Sequence, residues 1–406
     1  MLILRHYRPW EGVLAHDRFQ GKDMLLKPIP GGSEAGHNSF MPRGLMEDVD
    51  CPTAAAWFNL HALMPTVSEG RVKKHMLRIC KAHSYDPLMD HALAVRWDGV
   101  ARIPTALQTY GGAKGHPLYL AAVARVLFVG LAARALQPGC KMENMIVFEG
   151  DENIGKTDLA RILGYYDMPE RETWFTDSLE SFRGIDAADM MEGKWIIEVS
   201  ELAALGKSSS EDVKKFLSKN ADEFRRRYTS TKKRRPRRAV LIGTTNHETY
   251  LTSTTGNRRF LPVKLTKVER NALMADRDQL LAEAVNMYKE GIPWWIGDHE
   301  KELAALQRQE VEQRLVVDPW EEPILEFLLT PVDDCPRTDV CIPEIAEQVF
   351  EIRPKGQNDK RSYRIGSILR KLGWRRKGTI KRAAYRDKNR YVAPQPWPPK
   401  GTGKGS

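Results

Sequence analysis

An α/β fold on a parallel sheet is predicted by three features of this 406-residue sequence. Bare apolar runs recur at Met145–Phe148, Trp195–Val199 and Ala239–Gly243, the pattern of strands buried on both faces. Helical spacings separate them between 141 and about 265, which is the order of a parallel sheet, with Phe260–Lys264 as an edge strand. The first run leads into Gly150-x-x-x-x-Gly155-Lys156-Thr157, after which Leu159, Ile162 and Leu163 fall at helical spacing.

That strand–loop–helix context gives the glycine motif its chemistry. Glycines let the backbone N–H groups turn toward a phosphate, and the helix N-terminus adds positive potential. Lys156 would reach the β- and γ-phosphates of ATP, and the Thr157 hydroxyl would ligate Mg²⁺. Gly150, Asn153, Ile154, Gly155 and Asp158 complete the candidate nucleotide-binding set, while Asp151 and Glu152 must point away from the phosphates. A second acid must hold the metal and orient water. In "KWIIEVSEL" Glu201 stands at the strand end, where it can reach a ligand, and is preferred as metal holder over Glu198 inside the strand. "AVLIGTTN" ends on Asn246, placed to touch the γ-phosphate or the lytic water. In "TGNRRF", Arg258 or Arg259 could project to a neighbouring subunit's γ-phosphate, and a structural salt bridge remains open for either.

The other segments follow in chain order. Residues 1–50, with "KPIPGGSEAGHN", read as an irregular arm or the remnant of a larger upstream region, and 51–140 as a helical region ending in "LYLAAVARVLFVGLAARAL", apolar nearly all round and expected to pack on the following sheet. The α/β core occupies 141–317, where "ERNALMADRDQLLAEAVNMYKE" and "HEKELAALQRQEVEQRL" would form a helical lid. "DPWEEP" marks a linker, and 324–393 reads as a small winged-helix-like domain. Its helix carries Ile365, Ile368, Leu369 and Leu372 on one face, with Arg361 and Arg364 on others, before a basic two-stranded wing around Gly378. Residues 394–406 are Pro/Gly-rich and expected to be disordered.

Charge is clustered. The net charge is +10, yet Arg225–Arg238 holds nine basic residues and no acid, and Arg353–Arg390 holds fifteen against Asp359 and Asp387. Two such clusters outweigh the whole surplus and point to a polyanionic partner, nucleic acid. Five scattered cysteines match no zinc spacing and suit a reducing cytoplasm. The start "MLILRHYRPWEG" reads as no signal peptide, and no run approaches 18 apolar residues, so no membrane partner is expected.

The ordered run "WDGVARIPTAL", "MIVFEGDENIGKTDLARILG", "GKWIIEVSEL", "PRRAVLIGTTN", "GNRRFLPV" and "RDQLLAEAVNMYKEG" closely resembles the virulence-associated E (VapE-like) family, over roughly residues 83–320. These are replication proteins of phages and mobile elements, related to the superfamily 3 helicases of the AAA+ class. The resemblance implies a P-loop ATPase core using ATP and Mg²⁺. Lys156 and Thr157 would be Walker A, Glu201 with Glu198 Walker B, Asn246 sensor 1, and Arg258 or Arg259 the arginine finger. It implies a homo-hexamer acting on single-stranded and forked DNA beside a primase or other replication proteins. Lys232 and Lys233 would sit at the tip of a DNA-gripping hairpin, with Arg234 and Arg235 behind them. The rival expectation is an ATP-switched loader or regulator that hydrolyses ATP without unwinding. Many relatives carry a primase-polymerase domain upstream, for which the residues before 83 are too few.

Overall fold

The computed structural model describes residues 2–30, 44–46, 50–61, 67–165, 168, 174–179, 181–182, 184–202, 210–224, 233–251, 257–316, 318–332, 335–352 and 359–397. They form two compact units, Met1–Glu248 with Arg258–Gln313, and Thr249–Asn257 with Arg314–Ser406.

The first unit begins with a small sheet. Strands β1 (Leu14–Asp17), β2 (Lys22–Leu25), β3 (Gly44–Leu45) and β4 (Ser84–Tyr85) lie in the order β3-β2-β1-β4. Helices Asp50–His61 and Glu69–Ala82 belong with it, and Trp10, Leu14, Trp57, Phe58 and Met76 share its core. For the described residues among 1–50, this corrects the expected irregular arm. Strands of two to four residues are too short to show a period-two pattern, and their burial comes from helices further along the chain.

The main sheet comprises β5 (Met145–Glu149), β6 (Phe175–Thr176), β7 (Ile196–Val199), then, past the hairpin β8 (Ala221–Phe224) and β9 (Lys233–Pro236), β10 (Val240–Thr245) and β11 (Phe260–Lys264). All its pairings are parallel, in the order β11-β5-β10-β7-β6. Every residue of β5, β7 and β10 is buried, which is why those segments contain apolar runs without alternation. β11 lies at the edge, as expected.

Helix Pro117–Leu136 is buried nearly all round and shares one core with the sheet and with helix Arg270–Lys289. Trp195 Nε1 donates to the Leu131 carbonyl at 3.1 Å, and Arg134 donates to the Arg237 carbonyl at 2.8 Å. The boundary expected at residue 140 therefore divides nothing, because the helix before it roofs the sheet after it. By length and composition this helix could cross a membrane, yet 83% of its most apolar window is buried inside the protein.

In the second unit β12 (Asp339–Cys341), β13 (Arg375–Thr379) and β14 (Asn389–Val392) form an antiparallel sheet in the order β12-β14-β13. Helices Glu321–Leu329, Ile342–Phe350 and Asp359–Lys371 accompany it, and Ile324, Leu328, Ile365, Leu369 and Trp374 are buried together. Three expectations change here. "DPWEEP" is not simply a linker, since Glu321–Pro323 opens a helix, where proline loses no intrahelical hydrogen bond. The wing does not turn at Gly378, which instead falls where the β13–β14 register shifts. Residues 394–397 are placed rather than disordered, with Trp397 set edge-on to Trp374 at 5.2 Å. Residues 398–406 lie outside the described residues.

Candidate nucleotide site

β5 ends at Glu149, and the chain turns through Gly150 (φ +143°), Asn153 (φ +63°) and Gly155 (φ +96°) into helix Lys156–Leu163. A Cβ on Gly150 would stand 2.6 Å from the Leu265 carbonyl oxygen, and one on Gly155 would meet Val268 at 3.0 Å and Arg270 at 3.2 Å. Conformation and close approach both demand glycine at these two positions. The Ile154 carbonyl accepts from Val268 N at 2.8 Å, so the loop is pinned against the chain leading into helix Arg270–Lys289.

Lys156 crosses the loop's mouth almost fully buried. Its ammonium donates to the carbonyls of Gly150 and Asp151, both at 2.7 Å, and to Asn246 Oδ1 at 2.6 Å. Burial lowers its pKa, while the carboxylates of Glu201, Asp151, Glu152 and Glu198 act in the opposite direction. Asn246, at the tip of β10, also approaches Glu152 Oε1 at 3.4 Å. Glu152 thus faces the site in this structure, where the sequence reading had it pointing away.

Glu198 is fully buried in β7. Its Oε1 accepts from Thr157 and from Thr244, each at 2.7 Å, while Oε2 has no hydrogen-bond partner among the described residues. Burial raises its pKa, and the two threonine hydroxyls pull it back. The acid in contact with Thr157 is therefore Glu198 and not Glu201. Glu201 follows β7 in a 3₁₀ turn, exposed, with φ +49°. Leu202 beside it has φ +48°, so two consecutive non-glycine residues occupy a costly conformation at the tip. Among the described residues no cluster of three or more His, Cys, Asp or Glu forms a metal cage. A divalent ion here would rest on phosphate oxygens and on Thr157 and Glu198, the sparse protein coordination that suits Mg²⁺.

Arg258 and Arg259 part company. Arg259 donates to Ser218 Oγ at 3.0 Å and stands 4.0 Å from Glu143. Arg258 is exposed; its backbone carbonyl is held by Asn144 and Gln307, and among the described residues its guanidinium has no ion pair. Asp158, expected at the nucleotide, is paired to Arg270 at the start of the lid helix. Arg270 and Thr244 are site residues that sequence reasoning missed; Arg270 pairs with Asp158 and Thr244 with Glu198 across long stretches of sequence, and the partner of neither is marked locally.

The expected DNA-binding residues divide similarly. β8 and β9 pair with Phe224 opposite Lys233, so Lys233 is on the first rung and not at the hairpin tip. Lys232 lies outside the described residues. Arg234 is exposed, whereas Arg235 is half-buried and paired with Glu192. Two neighbours in the same basic run are structural. Arg237 is buried in a bidentate pair with Asp222 at 2.6 and 2.8 Å, and Arg238 is buried against Asp86. In the second unit Arg361 is exposed, but Arg364 is held by Asp318 at 2.6 Å over the Trp320 ring. This corrects Arg364 as a DNA contact, because its guanidinium fork is already matched to a carboxylate.

No curated protein matches the chain. Two A-form apo structures of the NrS-1 C-terminal region are each 12% identical to it, with TM-scores of 0.44 and 0.47, and each comparison covers 94% of this chain and 96% of that one. A further apo structure of that region is 13% identical with a TM-score of 0.44, covering 94% and 95%. The family model of the virulence-associated protein E-like domain matches residues 92–313. That span is more than half of the sequence and contains the loop, both acids, Asn246 and both arginines, and the chain belongs to the virulence-associated protein E-like family.

Proposed function

We propose that this chain is an ATP-driven DNA helicase of the AAA+ P-loop type, working as a homo-hexamer in the replication of a phage or mobile element. The observation that carries this reading is the convergence of Lys156, Thr157, Glu198 and Asn246 at the carboxyl ends of adjacent parallel strands. The strand order supports it, with the P-loop strand β5 flanked by β10, which delivers Asn246, and by β11.

Bound Mg²⁺ would neutralise charge on the β- and γ-phosphate oxygens. The orphaned, buried Glu198 Oε2 fits such a cation nearby. Lys156 carries the point charge that holds the β- and γ-phosphates, and Thr157 keeps its hydroxyl on the metal side of the loop. Glu201, exposed beside them, accepts the proton of the attacking water, while Asn246 orients that water or the γ-phosphate. Arg258, whose guanidinium makes no ion pair among the described residues, completes the site of the next subunit, and Arg259 is the structural member of the pair.

DNA engagement rests on the β8–β9 hairpin and the basic 225–235 stretch, whose positive charge suits strand tracking through phosphates. The helices and antiparallel sheet of the second unit support a winged-helix reading, with Arg375, Arg376 and Lys377 exposed on β13. The test is ATP-dependent strand displacement on 3′- and 5′-tailed forks, by wild type and by Lys156→Ala. Unwinding by wild type alone is expected. ATP hydrolysis without displacement on either fork would favour the loader.

A further inference from the structure

A cleft of about 570 Å³ opens in the first unit, away from the nucleotide loop. Its walls come from the β1–β2 turn, the end of helix Glu69–Ala82, residues 188–193 and strand β9. These pieces are fitted closely. A Cβ on Gly21 would lie 2.7 Å from Glu192 Oε1 and 3.0 Å from the Arg235 guanidinium, and one on Gly193 would lie 3.2 Å from Gln20 Cα. The cleft is therefore built by the small N-terminal sheet packing on the main core, and it requires residues 14–25.

The charges facing it divide into two sets. Asp86, Asp222 and Glu192 are each neutralised by an arginine, Arg238, Arg237 and Arg235 respectively. His16 is held by Asp23 at 2.7 Å. Arg18, Lys81 and Arg234 stand exposed on three different walls, and among the described residues none of their charged ends makes an ion pair. Apolar surface from Met89, Met191, Pro138 and Pro236 lines the cleft beside the arginine–carboxylate pairs. Unpaired cations beside apolar surface are what a single-stranded nucleic acid needs, the cations for its phosphates and the apolar surface for its base faces. A duplex keeps its base faces stacked inside and has no use for the apolar surface.

We propose that this cleft binds a single-stranded nucleic-acid backbone, with Arg18, Lys81 and Arg234 as its phosphate contacts. The strand would run along β9, which carries Arg234, toward Arg18 beside the N-terminal sheet. This inference rests on the DNA-binding half of the proposed function and does not require ATP hydrolysis.

The test is titration of a fluorescent oligothymidylate into the full chain at several salt concentrations. Arg18→Glu with Lys81→Glu is compared with Arg71→Glu with Lys74→Glu, an equal charge change on exposed residues of helix Glu69–Ala82 that do not line the cleft. The cleft pair should weaken binding at least about tenfold and make the salt slope shallower by about 1.4, the value for two lost single-strand phosphate contacts. The control pair should cause only a small loss that disappears as salt rises. Melting temperatures should match wild type, since none of the four residues is buried. Equal weakening by both pairs, or none by the cleft pair, overturns the proposal, as does a wild type that binds no single strand. A wild type without ATPase activity whose strand binding still depends on Arg18 and Lys81 supports the cleft and refutes the motor.

Discussion

Glu198→Gln should have two opposite effects, because the carboxylate it removes is buried with one oxygen unpartnered. Burial raises the Glu198 pKa, so the folded chain holds that proton more tightly than the unfolded chain. Stability from this group is complete below the ordinary glutamate pKa and is lost as pH rises through the raised folded value. Without nucleotide or Mg²⁺, Glu198→Gln should therefore melt above wild type at about pH 7.5, and the gap should close toward about pH 4. ATP turnover should meanwhile fall by about 10²-fold or more. A melting difference that ignores pH would show that Glu198 is not the desolvated acid described above. Lys156→Ala should abolish ATP hydrolysis, read by phosphate release; near-wild-type release would refute the phosphate-holding role. Residues of this kind are legible in sequence when the motif is local. Lys156 and Thr157 follow from a strand, two glycines and a helix. The choice between Glu198 and Glu201 does not, because it depends on Thr244, which meets Glu198 only across the β7–β10 pairing.

Among the elements, unbroken burial decided what could be read in advance. β5, β7, β10 and β11 span four to six residues and are buried throughout or nearly so, and helices Pro117–Leu136 and Arg270–Lys289 run for 20 residues each. β3, β4 and β6 have two residues each and acquire strand character only from their partners. The basic hairpin was legible as charge but not as structure, since Arg237 and Arg238 look like their neighbours and are buried with Asp222 and Asp86. Arg237→Ala should accordingly cost about 3–5 kcal/mol by stranding a buried carboxylate, whereas Arg234→Ala should leave stability within about 0.5 kcal/mol. Denaturant melts of both variants check this, and equal losses would mean that the hairpin base is not anchored. The second unit has its own cut point. Truncation after Val316 should leave the first unit folded and active as an ATPase, while truncation after Pro323 would split helix Glu321–Leu329 and leave Trp320 exposed without its Phe350 partner. Circular dichroism and ATPase assays on both truncations separate the outcomes.

For the whole assembly, the separation of Arg258 from Arg259 makes a definite claim about neighbours. If Arg258 completes the adjacent subunit's site, Arg258→Ala should lower ATPase activity by about 10³–10⁵ with little change in melting temperature. Arg259→Ala should instead destabilise the chain, through loss of the Ser218 contact. Mixing Arg258→Ala with Lys156→Ala subunits should restore part of the activity, because some interfaces then pair an intact loop with an intact arginine. Co-assembled but inactive mixtures would place both groups within one subunit. A different demand falls on the molecule during its synthesis. Helix Pro117–Leu136 is covered by Trp195 and by helix Arg270–Lys289, so its covering lies as much as 150 residues downstream. At a synthesis rate of about 5–20 residues per second, an apolar segment waits on the order of ten seconds at the ribosome without its roof. During that interval the nascent chain is a client for chaperones and a candidate for misdirection to a bilayer. The yield of active protein should then depend on holdase supply during translation, long before it depends on the stability of the finished fold.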